Sequence, residues 1–340
     1  MSTETKNKIY PRIITGIILL AVGVIIGRYI PQQSPSPDVN QKNLSADVRA
    51  GGGKYTNPLL DCDQSQAVFV ELAPFKDKVN SQISDLEKDQ DISNISVYFR
   101  DMNNGPWFGI SSSATFSPAS LLKVPLAIAY YKLNEQSPGV LAQTITYTGP
   151  DSSWPNITQT IPPKELLTVG QAYSMDDLIK RMLSYSDNTA YYLLFSNIKQ
   201  TDLQSVYNDF NLQLNGPGSA DDSTVTVRGY SSFFRILFNA SYLNRSDSEK
   251  VLSYLADSEF MDGLAAGVPS NVPIAHKFGE RETTDKKPVE FHDCGIVYYP
   301  QHPYLLCVMT QGSDIVKQTN AIKQISSTVY NQVNSQNPGN

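Results

Sequence analysis

Strand-forming patterns lie at two distant places in this chain with a helical stretch between them, and that arrangement admits few folds. Ile95 to Asp101 (Ile-Ser-Val-Tyr-Phe-Arg-Asp) and Trp107 to Ile110 flank Asn103-Asn104-Gly105 and read as a β-hairpin. Pro273 to Phe278, Glu290 to Tyr299 and Tyr304 to Thr310 read as three more strands, the last two joined by a turn at Pro300 to Pro303. A lone hairpin is marginal in water, so both sets are expected in one sheet assembled from distant parts of the chain.

The helical patterns fit around that sheet. Leu72, Phe75, Val79, Ile83 and Leu86 share one face ahead of the hairpin, and Glu87 to Asp91 closes that helix with charge. Ile315, Ile322, Ile325, Val329 and Val333 give the last helix its apolar face. Between the strand sets, Ser174 and Asp177 form a capping box before Leu178, Ile179 and Met182, and that helix ends at Ser184-Tyr185-Ser186-Asp187-Asn188. Helices follow over Ala190 to Asn197, Leu203 to Phe210 and Tyr230 to Leu243, whereas the proline-rich residues 135 to 170 read as mostly loop. The expected class is α/β in the broad sense, an α+β sandwich. It has a five-stranded, mostly antiparallel sheet, flanking N- and C-terminal helices and an all-helical lobe.

Residues 1–12 carry Lys6, Lys8 and Arg12, and Ile13 to Gly27 holds no charge. Residues 13–30 are expected to form one transmembrane helix, with Arg28 snorkelling to the headgroups. A cleaved signal peptide is the rival reading, disfavoured because no Ala-x-Ala site follows. The basic residues 1–12 then stay cytoplasmic, and a single-pass protein with its folded domain outside the cytoplasm results. Residues 31–60, rich in Gln, Ser, Pro and Asn with Gly51-Gly52-Gly53, read as a flexible linker. The folded domain is expected over 61–335, with 336–340 a disordered tail.

At 340 residues and 40% hydrophobic content, the chain can bury the core of one large domain or two small ones. A net charge of -6 argues against a nucleic-acid partner. Cys62, Cys294 and Cys307 match no metal template with His276, His292 and His302, so no metal and no cofactor are expected. A hairpin turn centred between Pro300 and Gln301 sets Cys294 opposite Cys307. A disulfide there is one reading, and two adjacent buried thiols is the favoured one, since cysteine is a common core residue.

One stretch carries chemistry. Phe116 to Tyr131 reads as a buried helix opened by Ser117 and Pro118, with Ser120 and Lys123 near its N-terminus. Residues three apart are neighbours on a helix, so the Lys123 amine can reach the Ser120 hydroxyl and activate it as a nucleophile. Ser-x-x-Lys arises by chance roughly once or twice in a chain of this length, so alone it reads sooner as a helix cap followed by a surface lysine.

Two further elements follow in order: Ser186-Asp187-Asn188 in a loop between helices, and His276-Lys277-Phe278-Gly279 on a strand. Together the three resemble the motif set of penicillin-recognising serine enzymes, and the chain looks most like a class A β-lactamase. Similarity beyond the motifs runs from about Val97 to Gln311 and includes Asp262-Gly263-Leu264-Ala265-Ala266-Gly267-Val268-Pro269 and Phe291-His292-Asp293. The resemblance implies that Ser120 is the acylated nucleophile and Lys123 its base or proton relay. Ser186 would pass a proton to the leaving nitrogen, and Asn188 would hold the substrate's side-chain amide. Lys277, with Phe278 and Gly279, would line the place of the substrate carboxylate, and the backbone N–H groups of Ser120 and Glu280 would form the oxyanion hole. Trp154 could wall the cleft or pack within its loop.

There are two departures from the family pattern. Phe278 stands where a Thr or Ser usually binds the substrate carboxylate, which should weaken recognition of a penicillin. The Glu-x-x-Leu-Asn sequence whose Glu activates the deacylating water is absent, and Asp221 or Asp222 is the nearest substitute. The expected function is therefore a membrane-anchored serine hydrolase forming an acyl-enzyme with β-lactam amides and turning over slowly. A D-Ala-D-Ala peptidase acting on peptidoglycan stem peptides and a non-catalytic cell-wall binding module are the alternatives. The catalytic domain is expected to be monomeric.

Overall fold

The computed structural model describes residues 53–57, 69–89, 91–103, 105–151, 159, 161–210, 224–281 and 288–337. The expected anchor at 13–30, Cys62, Trp154, Asp221 and Asp222 lie outside them. Among the described residues, no helix is long and apolar enough to cross a membrane. All the described residues belong to one unit within Val48–Asn340, and residues 1–47 lie outside them.

Helix α1 (Phe69–Asp89) leads into β1 (Ile92–Asp101) and β2 (Trp107–Ile110). The two strands pair antiparallel around a turn in which Gly105 takes φ 79°, a left-handed conformation that glycine adopts without steric cost. Far down the chain come β7 (Ile274–Arg281), β8 (Val289–Val297) and β9 (Tyr304–Gly312), followed by α8 (Ile315–Gln336). The sheet order is β2-β1-β9-β8-β7 with every neighbour antiparallel, so β1 seats against β9 as the two strand sets require. Strand alternation divides the core. Val97, Phe99, Leu306 and Val308 pack in one cluster with Phe75 and Val79 of α1 and Ile322 and Ile325 of α8. Tyr98, Leu305, Cys307 and Met309 face the helical lobe.

The lobe begins at a 3-10 turn, Ala119–Leu122, that runs directly into α2 (Lys123–Gln136). Pro125 falls in the first turn of α2, where its missing N–H has no intrahelical acceptor to lose, so it introduces no break. Short strands β3 (Thr115–Phe116) and β6 (Val225–Thr226) pair with each other, and β4 (Thr144–Thr146) and β5 (Ala172–Ser174) pair across the stretch expected to be loop. Next come α3 (Met175–Ser184), opened by the Ser174–Asp177 capping box, then α4 (Asn188–Asn197) and α5 (Gln200–Asp209). The expected Tyr230 to Leu243 helix is α6 (Val227–Phe238), and α7 (Arg245–Ala256), capped by Asn244, was not expected from periodicity.

Two expectations are corrected. Part of the stretch assigned to a linker is packed. The N–H groups of Tyr55 and Thr56 and the Thr56 hydroxyl all donate to the Glu249 carboxylate of α7, each at 2.8 Å. Composition cannot show that a distant carboxylate will collect backbone donors. The favoured pair of free thiols is the second. Cys294 and Cys307 are register partners on β8 and β9 and are joined as a disulfide. The covalent loop spans a sequence separation of 13, and closing a ring of this size stabilises by about 3 kcal/mol. Reduction should therefore lower the unfolding free energy by about that amount while the ladder hydrogen bonds keep the sheet. Urea unfolding with and without reductant, beside alkylation of the unreduced protein, checks this. Ready alkylation of both cysteines on unfolding without reductant would show that the bridge is not made.

Candidate active site

The turn carrying Ser120 is held from two sides. On the sheet side, the Glu290 carboxylate accepts from Ser117 N–H at 2.9 Å, and His292 Nε2 lies 2.9 Å from the Ser117 carbonyl. Both residues belong to β8, so one strand grips both ends of the same residue's backbone. On the helical side, the buried Tyr230 hydroxyl donates to the Leu121 carbonyl at 3.0 Å. Ala119 is held at φ 46°, a conformation costly for a residue with a Cβ, immediately before Ser120. Gly279 of β7 lets the turn approach, since a Cβ there would lie 3.0 Å from Leu121 Cγ and 3.1 Å from the Pro118 carbonyl oxygen. Ser120 thus sits half-exposed against the strand that carries Lys277 and Glu280.

Lys123 is buried at the start of α2, and its three ammonium protons have three acceptors. They are the Ser186 carbonyl at 2.6 Å, the Ser186 hydroxyl at 3.1 Å and Asn188 Oδ1 at 2.7 Å. No bond to Ser120 is among them, although the spacing made one expected. Burial pushes the Lys123 pKa down to about 7, against the opposing fields of Asp187 and Glu280. Lys277, also buried, donates to the same Ser186 hydroxyl at 2.8 Å and to the Phe278 carbonyl at 2.8 Å. Its pKa lies well below the usual lysine value, because of burial first and the neighbouring Lys123 charge second.

Ser186 is therefore the meeting point of both lysines. It takes φ 53°, which turns its carbonyl and its hydroxyl toward Lys123. Two N–H donors occupy the acceptor directions of the hydroxyl oxygen, so its own proton is directed elsewhere. Asp187 caps α4, accepting from Thr189 N–H at 2.8 Å and Ala190 N–H at 3.1 Å, and is buried with its carboxyl pKa raised by desolvation. Gln159 closes the loop from outside. Its amide donates to the Ser186 carbonyl at 2.9 Å and accepts from Asn188 N–H at 2.9 Å. No spacing in the sequence points to Gln159, and only the path of the chain brings it there.

Of the expected site residues, Ser186, Asn188, Lys123 and Lys277 converge through direct hydrogen bonds, and Gly279 and Glu280 lie beside the Ser120 turn. Phe278 behaves differently from a substrate contact. Its ring is 4% exposed and packs on Phe260, with centroids 4.3 Å apart. Behind the strand, His276 Nδ1 bonds the Asp293 carboxylate at 2.9 Å, and Asp293 also accepts from Leu264 N–H.

The Beta-lactamase enzyme family model matches residues 78–333, and the chain belongs to that family, a group of class A β-lactamase-like serine hydrolases. Solved structures share the fold over most of their length. A mutant of PBP-A, in an acyl-enzyme complex with penicillin G, is 19% identical with a TM-score of 0.63 and covers 76% of this chain and 97% of its own. A β-lactamase from Xanthomonas campestris is 21% identical, TM-score 0.63, covering 76% and 98%. A class A β-lactamase from Mycobacterium abscessus is 20% identical, TM-score 0.64, covering 75% and 99%. A search of curated proteins finds no match.

The His292 ring yields a pH prediction. Its Nδ1 accepts from Thr310 N–H at 3.3 Å, which leaves Nε2–H as the donor to Ser117, so the folded ring is neutral. Burial lowers its pKa from 6.5 to about 4. The unfolded chain binds the proton first, so this contribution to stability is whole above pH 6.5 and is lost as pH falls toward 4, on the order of 3 kcal/mol. His292→Gln, which keeps a donor and an acceptor but does not titrate, should flatten that part of the stability profile in urea titrations at several pH values. An unchanged slope would show that another group is responsible.

Proposed function

We propose that this chain is a membrane-anchored serine hydrolase in which Ser120 forms an acyl-enzyme. Residues 13–30 would span the membrane with the N-terminus in the cytoplasm, and the folded domain, with Tyr55 and Thr56 packed on it, would work outside it as a monomer. The observation that carries the chemistry is one serine hydroxyl, Ser186, holding two buried lysines beside the Ser120 turn. A neutral amine on Lys123 takes the Ser120 proton as Oγ attacks the acyl carbon. The N–H groups of Ser120 and Glu280 receive the oxyanion. As the bond to the leaving group breaks, Ser186 gives that group its proton and is reprotonated from the adjoining lysines, so each proton is accounted for.

Acylation has its full set of groups, whereas no Glu-x-x-Leu-Asn sequence supplies the water-activating carboxylate. We therefore expect a long-lived acyl-enzyme with β-lactams, giving slow β-lactamase turnover. A peptidase of peptidoglycan stem peptides would use the same groups. A binding module without catalysis is disfavoured, because it would have no need to bury two cations around Ser186.

Intact-mass spectrometry of the protein with a penicillin should show one adduct, on Ser120, that persists through the time course and is absent in Ser120→Ala. Rapid disappearance would instead indicate efficient hydrolysis and direct attention to Asp221 and Asp222. No adduct with any acylating agent would count against the whole reading. The acylation rate should also depend on pH. Lys123 is a base only when neutral, so the rate should fall about tenfold per pH unit below its pKa of about 7 and level off above it. A rate independent of pH between 5 and 8 would remove Lys123 from the role of base.

A further inference from the structure

We infer that Phe278 seals the outer side of Lys277, so that Ser120 is acylated faster by donors that carry no carboxylate on the leaving side of the scissile bond. This rests on the acyl-enzyme reading above and adds to it a preference for esters or amides with a neutral leaving side. The argument begins with the three N–H bonds of Lys277. One goes to the Ser186 hydroxyl and one to the Phe278 carbonyl, each at 2.8 Å. The ammonium also lies 4.1 Å from the centroid of the Phe278 ring, so the ring face takes the remaining side of the cation. Lys277 is 1% exposed, and no approach is left by which a carboxylate could reach its nitrogen with the ring in place.

The ring is also wedged. Phe278 packs against Phe260 at 4.3 Å and lies 6.1 Å from Phe291, and Phe260 and Phe291 are themselves 5.7 Å apart. Moving the ring aside would open this buried cluster and expose aromatic surface. Charge points the same way. Glu280 lies two residues further along β7, on the same face of the strand as Phe278, and its Oε1 accepts from Ile161 N–H at 3.4 Å. The field of Glu280 acts on both Lys123 and Lys277. An arriving carboxylate would meet a fixed carboxylate in this corner and a covered ammonium. Penicillins and peptides ending in a free carboxylate carry such a group, and we expect them to acylate Ser120 slowly, although the adduct persists once formed.

A matched pair of thioesters tests this on the full chain. Both carry the same N-acylglycyl group; one leaves as mercaptoacetate and the other as its neutral methyl ester. Rates of adduct formation on Ser120 are read by intact mass and divided by each thioester's rate with hydroxide, which removes intrinsic reactivity. The neutral thioester should acylate about tenfold faster or more, a factor that corresponds to about 1.4 kcal/mol. Phe278→Thr should shift the ratio toward the carboxylate thioester. Phe278→Leu, which keeps the apolar wedge but removes the ring face, should shift it less. A wild-type preference for the carboxylate thioester overturns the inference while leaving the acyl-enzyme intact, and the wild-type ratio decides this even if a variant fails to fold. An unchanged ratio in a folded Phe278→Thr also overturns it. Absence of any Ser120 adduct from either thioester overturns the acyl-enzyme reading itself.

Discussion

Two buried ammonium groups around one serine hydroxyl set the terms for the rest of this molecule. Taking a cation out of water costs several kcal/mol, and placing a second beside it adds repulsion. The fold answers with acceptors rather than with solvent. Ser186 presents both its carbonyl and its hydroxyl, Asn188 its amide oxygen and Phe278 its carbonyl, while Asp187 and Glu280 supply opposing charge. None of these groups is near another in sequence except within its own short segment. The lysines can be buried only if helix α2, the α3–α4 loop and strand β7 are brought together, so the chemistry and the tertiary structure are one requirement.

The sheet supplies the rigid side of that arrangement. Strand β8 reaches forward through Glu290 and His292 to hold Ser117, and backward through Asp293 to His276 and the Leu264 N–H. Close approach makes Gly263 necessary on that second path. It takes φ 62°, and a Cβ would stand 2.7 Å from Asp293 Oδ2. The Cys294–Cys307 bridge ties β8 to β9 one residue further on. The strand that positions the nucleophile turn is thus covalently tied to its neighbour.

Periodicity and caps carried most of the architecture because they reflect local physics. The Ser174–Asp177 capping box, the β1–β2 hairpin pairing and the apolar faces of α1, from Phe75 to Leu86, and α8 each act within a few residues and appear in the structure. Interactions that depend on distant partners were not legible. Tyr55 and Thr56 look like linker until Glu249 collects their donors, and Gln159 has no signal beyond its place in a proline-rich stretch. Helix α7 is not legible from periodicity because its polar first turn, Arg245 to Ser248, hides the apolar Val251, Leu252 and Leu255 behind it.

The sequence by itself determined the covalent chemistry on offer: a serine three residues before a lysine, a Ser-Asp-Asn loop, a lysine on a late strand and no Glu-x-x-Leu-Asn. It also determined the strand and helix order that places those groups on one sheet edge and one lobe. Tertiary structure alone decided which partners each group meets. Lys123 bonds Ser186 and Asn188 rather than Ser120, and Phe278 covers Lys277 rather than leaving it open. The physical reason is that burial and hydrogen-bond partnership depend on what the fold packs against a side chain, and that packing is set by residues far away in the chain.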